Sequence, residues 1–134
     1  MRYMPRALAL AIVTSALASA APGASARAGD VGYRKPAAQH IYFHNQHRVF
    51  RGRMPPLLYA VGVLQVEVDA RGYVRGTAWL RAPSHAPEVM AEIERSVWAA
   101  SPFPAPGRTT YYVDTWLWDR SGQFQLDTLT EGQD

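Results

Sequence analysis

The chain has 134 residues, of which 48% are hydrophobic and 19% charged, with a formal net charge of +3 and no cysteine. The missing cysteines exclude disulfide and thiolate chemistry, so stability has to come from packing, to which an 11% aromatic content contributes. The net charge is small and, as the order of residues shows, unevenly placed.

Arg2 and Arg6 precede an uncharged stretch, residues 7–26, rich in Ala and Leu and ending in Ala24-Ser25-Ala26. A positive start, an apolar core and an A-x-A site predict a secretory signal peptide over residues 1–26, removed from the mature protein. Its clearly apolar part, residues 7–21, is short for a membrane span and diluted by Ser and Thr. The expectation is therefore a periplasmic protein with no stable membrane insertion after cleavage. Loss of Arg2 and Arg6 brings the net charge close to neutral, but residues 27–60 hold six basic residues against one acidic, and residues 61–134 hold six against ten. The expected use of this split is a basic flank docking on its own acidic domain, ahead of an arm for an anionic surface. Nucleic acid is not an expected partner outside the cytoplasm.

Residues 27–56 read as a basic, partly helical N-terminal segment. Residues 27–35 look like a loose leader; Pro36 suits a first helical position and Gly52 a C-terminal cap. Between them Tyr42, Phe43, Val49 and Phe50 would share one helix side, and His40, His44, His47 and Arg51 another. Histidines four apart can chelate a metal. No carboxylate lies near in sequence to orient these rings, so a solvated face is expected and no metal or cofactor is assigned. Met54-Pro55-Pro56 breaks the helix.

Residues 57–134 read as one ββαββ domain. Asp69-Ala70-Arg71-Gly72 is a tight turn between two alternating runs, with Gly at the positive-φ position. Gly62, Leu64, Val66 and Val68 on the first strand, and Val74, Gly76, Ala78 and Leu80 on the second, can share one buried face. Pro87 opens a helix with Val89, Met90, Ile93 and Val97 on one stripe. Pro102, Pro104 and Pro106 stop it, and Gly107 releases the chain into a third strand. A right-handed crossover puts that strand beside the first, with Tyr111, Val113, Thr115 and Leu117 toward the helix. Asp119-Arg120-Ser121-Gly122 repeats the D-x-x-G turn and predicts a fourth strand over residues 123–130. The predicted fold is α+β: an antiparallel sheet of order 2-1-3-4 packed on one face by a helix, with an N-terminal helical segment.

The run Val66-Glu67-Val68-Asp69-Ala70-Arg71-Gly72-Tyr73-Val74, the helix to Trp98 and the corner Pro102-Phe103-Pro104-Ala105-Pro106 resemble the C-terminal domain of the TonB energy-transducer family. The resemblance covers about the second half of the chain. It implies a protein-binding module that pairs a partner segment onto the edge of strand three by β-augmentation, with main-chain hydrogen bonds supplying affinity. The chain departs from the family in lacking an uncleaved anchor, a long Pro-rich spacer and the family's Tyr-Pro pair before the first strand, so a stand-alone binding role is expected over energy transduction.

No enzyme is expected: there is no G-x-S-x-G elbow, phosphate loop or dinucleotide fingerprint, and Glu92 and Glu94 point to different helix sides. The partner site, for an envelope protein or receptor segment, is expected at Tyr111, Tyr112, Val113, Asp114, Trp116 and Trp118, with Tyr73 and Trp79. Several of these would line an aromatic sheet face away from the helix, which residues 27–56 would cover through Tyr42, Phe43 and Phe50. The alternative reading uses that face for self-association, as a structural envelope protein.

Overall fold

A computed structural model describes residues 29–130. The signal peptide expected over residues 1–26 lies outside the described residues. Helix α1 (Val31–His44) is followed by a 3-10 turn, Gln46–Arg48. Strands β1 (Ala60–Val68) and β2 (Val74–Arg81) precede helix α2 (Pro87–Ala99). Strands β3 (Thr110–Trp118) and β4 (Phe124–Leu126) lead to a last 3-10 turn, Asp127–Leu129. The sheet runs β2-β1-β3-β4 with every neighbouring pair antiparallel, the expected α+β architecture.

Both D-x-x-G turns form as the sequence predicts. The Gly72 N–H donates to the Asp69 carbonyl at 2.9 Å and the Gly122 N–H to the Asp119 carbonyl at 3.0 Å. Each Asp carboxylate also accepts the amide two residues on, from Arg71 and from Ser121, which locks the turn. Gly72 has a second constraint. The Pro-rich corner packs onto this turn: the Phe103 N–H donates to the Gly72 carbonyl at 2.7 Å, and the Gly107 N–H to the Ala70 carbonyl at 3.0 Å. A Cβ at Gly72 would lie 2.0 Å from the Phe103 carbonyl oxygen, and its φ is +101°.

Helix α2 starts at Pro87 and buries Val89, Ile93 and Val97, as its spacing predicts, together with Ser96, whose hydroxyl donates to the Glu92 carbonyl. Helix α1 differs from expectation. It starts at Val31, five residues before Pro36, because Asp30 ties the chain down there. Asp30 accepts from the Gly32 N–H and the Thr110 hydroxyl, and its own N–H donates to the Tyr111 carbonyl at 2.8 Å. Capping plus a strand contact outweighs one backbone bond lost at an internal proline. The helix ends at Asn45, whose side chain donates back to the Ile41 carbonyl, so Gly52 is no cap and His47 and Arg51 lie off the helix.

The faces of the sheet are the main correction. Register sets Val66 opposite Tyr112, Leu64 opposite Asp114 and Gly62 opposite Trp116. Residues directly opposite share a face, so Tyr112, Asp114, Trp116 and Trp118 are the inner set of β3, and Tyr111, Val113, Thr115 and Leu117 look outward. In β2, register shifts at both ends leave Leu80 and Arg75 as extra residues and set Trp79 opposite Leu64 and Thr77 opposite Val66. Trp79 therefore points to the helices, while Leu80, expected in the core, is 40% exposed. Both helices cover the same inner face. The Tyr33 hydroxyl donates to the Pro104 carbonyl, His40 Nε2 meets the Ala100 carbonyl at 2.7 Å, and the Arg48 guanidinium sits over the Trp118 ring. Strand β4 is shorter than expected, three residues before the 3-10 turn.

Candidate functional site

Of the residues expected to meet a partner, Tyr112 and Trp116 are each 1% exposed, and Asp114 and Trp118 are also buried. Trp116 and Trp118 both lie against Phe124 of β4, with ring centroids 4.9 and 5.6 Å apart. Tyr42 covers Phe124 from α1, at 6.1 Å. The aromatic face is thus covered from within, by α1 as well as α2, although Phe43 itself stays exposed. Trp79 is half-buried, its indole N–H donating to the Glu94 carboxylate. Tyr73 is exposed beside Arg71, and Tyr111 and Val113 are half-buried on the outer face.

The β3 edge is occupied. Strand β4 pairs with Trp116, Leu117 and Trp118. Asp114 holds the next stretch: its Oδ1 accepts the N–H of Thr115 at 2.9 Å and of Thr128 at 3.1 Å, and its Oδ2 accepts the Tyr112 hydroxyl at 2.7 Å. Burial pushes the Asp114 carboxyl above its ordinary value against these hydrogen bonds, and burial with the adjacent carboxylate pushes the Tyr112 phenol well up. Asp30 takes the Tyr111 carbonyl. What remains is a cleft of about 290 Å³ lined by Gly29, Val31, Arg34, Val113, Asp114 and Thr115.

Strand β4 is closed on its outer side too. Val49 forms a parallel bridge to Phe124, and the Phe50 N–H donates to the Phe124 carbonyl at 2.9 Å. The buried Gln125 side chain donates to the Phe50 and Gly52 carbonyls. No pattern in residues 46–53 signals this strap, and Gln125 reads as an ordinary polar residue of an alternating strand. Asp30, by contrast, carries a legible signal, an Asp just before a helix.

Among the described residues the edge left open is that of β2. The Tyr111 carbonyl, bonded to Asp30, faces away from β1, and the Trp118 carbonyl, bonded to Tyr59, faces toward it. Alternation along β3 and across β1 then turns the backbone groups of Ala78 and Gly76 to β1, opposite Gln65 and Glu67. Those of Thr77 and Trp79 point out of the sheet. Above them stands α2. Glu94, bonded to Trp79, fixes which side of α2 looks at β2. Met90 and Trp98, one turn to either side, share that side, and Trp98 is 47% exposed.

The histidine face does not assemble into one row. His40 and His44 meet edge to face with ring centroids 4.4 Å apart, and His47 lies in the 3-10 turn. Glu92 of α2 pairs with Arg48 of the first 3-10 turn at 3.3 Å and, within α2, with Arg95 at 2.8 Å. The Arg48–Glu92 contact is one ion pair by which the basic half of the chain meets the acidic half. Compared with family models, with curated proteins and with solved structures, the chain matches none.

Proposed function

We propose that the chain is an exported, periplasmic protein-binding module, without catalytic activity of its own, that takes an extended partner segment as a fifth strand on its sheet. The observation that carries this reading is the open edge of β2, with the backbone groups of Thr77 and Trp79 directed outward beneath the exposed side of α2. Unpaired strand edges are templates for another chain. The resemblance to the TonB C-terminal domain supports the same mode of binding, an envelope protein or receptor segment being the partner. It implies strand three as the docking edge; here β4, Asp114 and Asp30 fill that edge, so the partner's place moves to β2. Self-association through the aromatic face would need Trp116 and Trp118, which the helices and Phe124 cover.

The test is a Thr77→Pro variant. Thr77 directs its N–H outward, so proline there spares the ladder to β1 and removes a bond to any added strand. Residues 27–134 immobilised as bait should recover a partner from the envelope of the native organism, and the variant should lose it while keeping its melting temperature within a few degrees. Equal recovery by both would overturn strand addition at β2.

A further inference from the structure

From the charges that bracket the open edge we infer that β2 selects an acidic segment, running antiparallel, with two carboxylates about four to five residues apart. This rests on the strand-addition reading above and deepens it. The straight part of β2, residues 76–79, lies between Arg75 and Arg81. Arg75 is 61% exposed and makes only a 3.7 Å contact with Asp69; Arg81 is exposed and makes no ion pair among the described residues. The acids nearest this edge are otherwise engaged. Glu94 accepts the Trp79 indole, and Asp69 accepts the amides of Arg71 and Tyr73. Glu67 is half-buried one strand in, opposite Gly76. Because Leu80 and Arg75 are extra residues, the β1 positions facing the two arginines are only about four to five apart, and the guanidinium anchor points lie about 15 Å from each other.

The same spacing governs self-pairing. Two copies joined antiparallel through β2 with Thr77 opposite the partner copy's Trp79 would pair the outward backbone groups of both residues. A two-fold axis at Ala78 then sets Arg75 opposite the other copy's Arg81, at both ends of the pair. Like charges directly opposite are destabilising, so the arrangement that repels a second copy welcomes a segment with acids at those two places. Charged edges are a known device against edge-to-edge association.

Arg81→Glu tests this without a known ligand, because it turns both like-charge contacts of the self-pair into Arg–Glu contacts. Sedimentation of residues 27–134 should show a monomer for the native sequence and a doubled mass for Arg81→Glu. The dimer should weaken as salt rises. Arg75→Glu/Arg81→Glu, which restores like charges, and Thr77→Pro/Arg81→Glu, which removes an edge bond, should both be monomeric; circular dichroism checks that each variant is folded. If the native chain also dimerises through a contact sensitive to Thr77→Pro, the edge takes strands but the arginines do not select them, and the acidic preference is overturned while strand addition stands. An Arg81→Glu dimer indifferent to Thr77→Pro lies elsewhere and overturns the inference, as does a folded Arg81→Glu monomer. In that last case strand addition is judged separately, by the Thr77→Pro bait.

Discussion

Asp114 shows how much one buried side chain can decide. It sits on the inner face, opposite Leu64, yet serves three donors from β3 and the last 3-10 turn. Its carboxyl titrates above the ordinary Asp value because burial disfavours the charged form. A folded-state pKa raised above the unfolded one contributes stability that is complete at pH below the unfolded value and fades as pH rises through the folded value. Asp114→Asn, whose carbonyl can still accept both amides, should remove this dependence. Denaturant unfolding of the two proteins across the acidic range should show the native chain losing stability relative to the variant as pH rises; parallel curves would refute it. Asp114→Ala should cost more, about 1–3 kcal/mol for each buried donor left unpaired. Gly72→Ala is the backbone counterpart. The positive φ and the 2.0 Å approach to Phe103 act together, so the loss should exceed the roughly 1 kcal/mol that a left-handed conformation alone costs a residue with a Cβ.

At the scale of elements, much was legible. Two D-x-x-G turns, a proline opening α2 and a proline corner closing it fix where strands and helix fall, and handedness then fixes the order. The faces of β3 were not legible in the same way. Its two alternating sets, Tyr111-Val113-Thr115-Leu117 and Tyr112-Asp114-Trp116-Trp118, are both apolar enough to be a core, and Asp114 counts against the set that is in fact buried. A shift of one residue exchanges the faces, and only pairing with β1 decides. The faces of β2 escaped for a related reason, since its two register shifts break the alternation that a sequence reading assumes. The site suffered accordingly: Tyr112, Asp114, Trp116 and Trp118, expected to meet a partner, are part of the core. Ile93, expected buried, is so, and Ile93→Ala should cost about 2–5 kcal/mol in equilibrium unfolding. Strand β4 is short but enclosed, with Phe124 and Leu126 fully buried. Amides of Gln125 and Leu126 should therefore exchange as slowly as those of β1. Fast exchange there, with β3 still protected, would mark β4 as a displaceable plug on the β3 edge.

At the scale of the whole molecule, two helices lie side by side on one face of a four-stranded sheet, and the basic N-terminal half reaches across the acidic half through Arg48. Its expected docking on the chain's own domain thus has a physical form, an ion pair and a cation over an indole. Export is the prediction that belongs here. Mass spectrometry of the protein from its cells should find a mature N-terminus near Arg27, and a membrane-held chain still beginning at Met1 would refute it.

The strap of Val49 and Phe50 over β4 bears on the order in which the chain can fold. Tyr42, Trp116 and Phe124 meet in one cluster, so its members are separated by most of the domain's length. Contacts this distant in sequence form late, after the entropy of closing long loops has been met. Until residue 126 has been made, Trp116 and Trp118 have no Phe124 to lie against and the backbone of Phe50 has no strand to join. A growing chain therefore has no complete core to close around until strand β4 has been made.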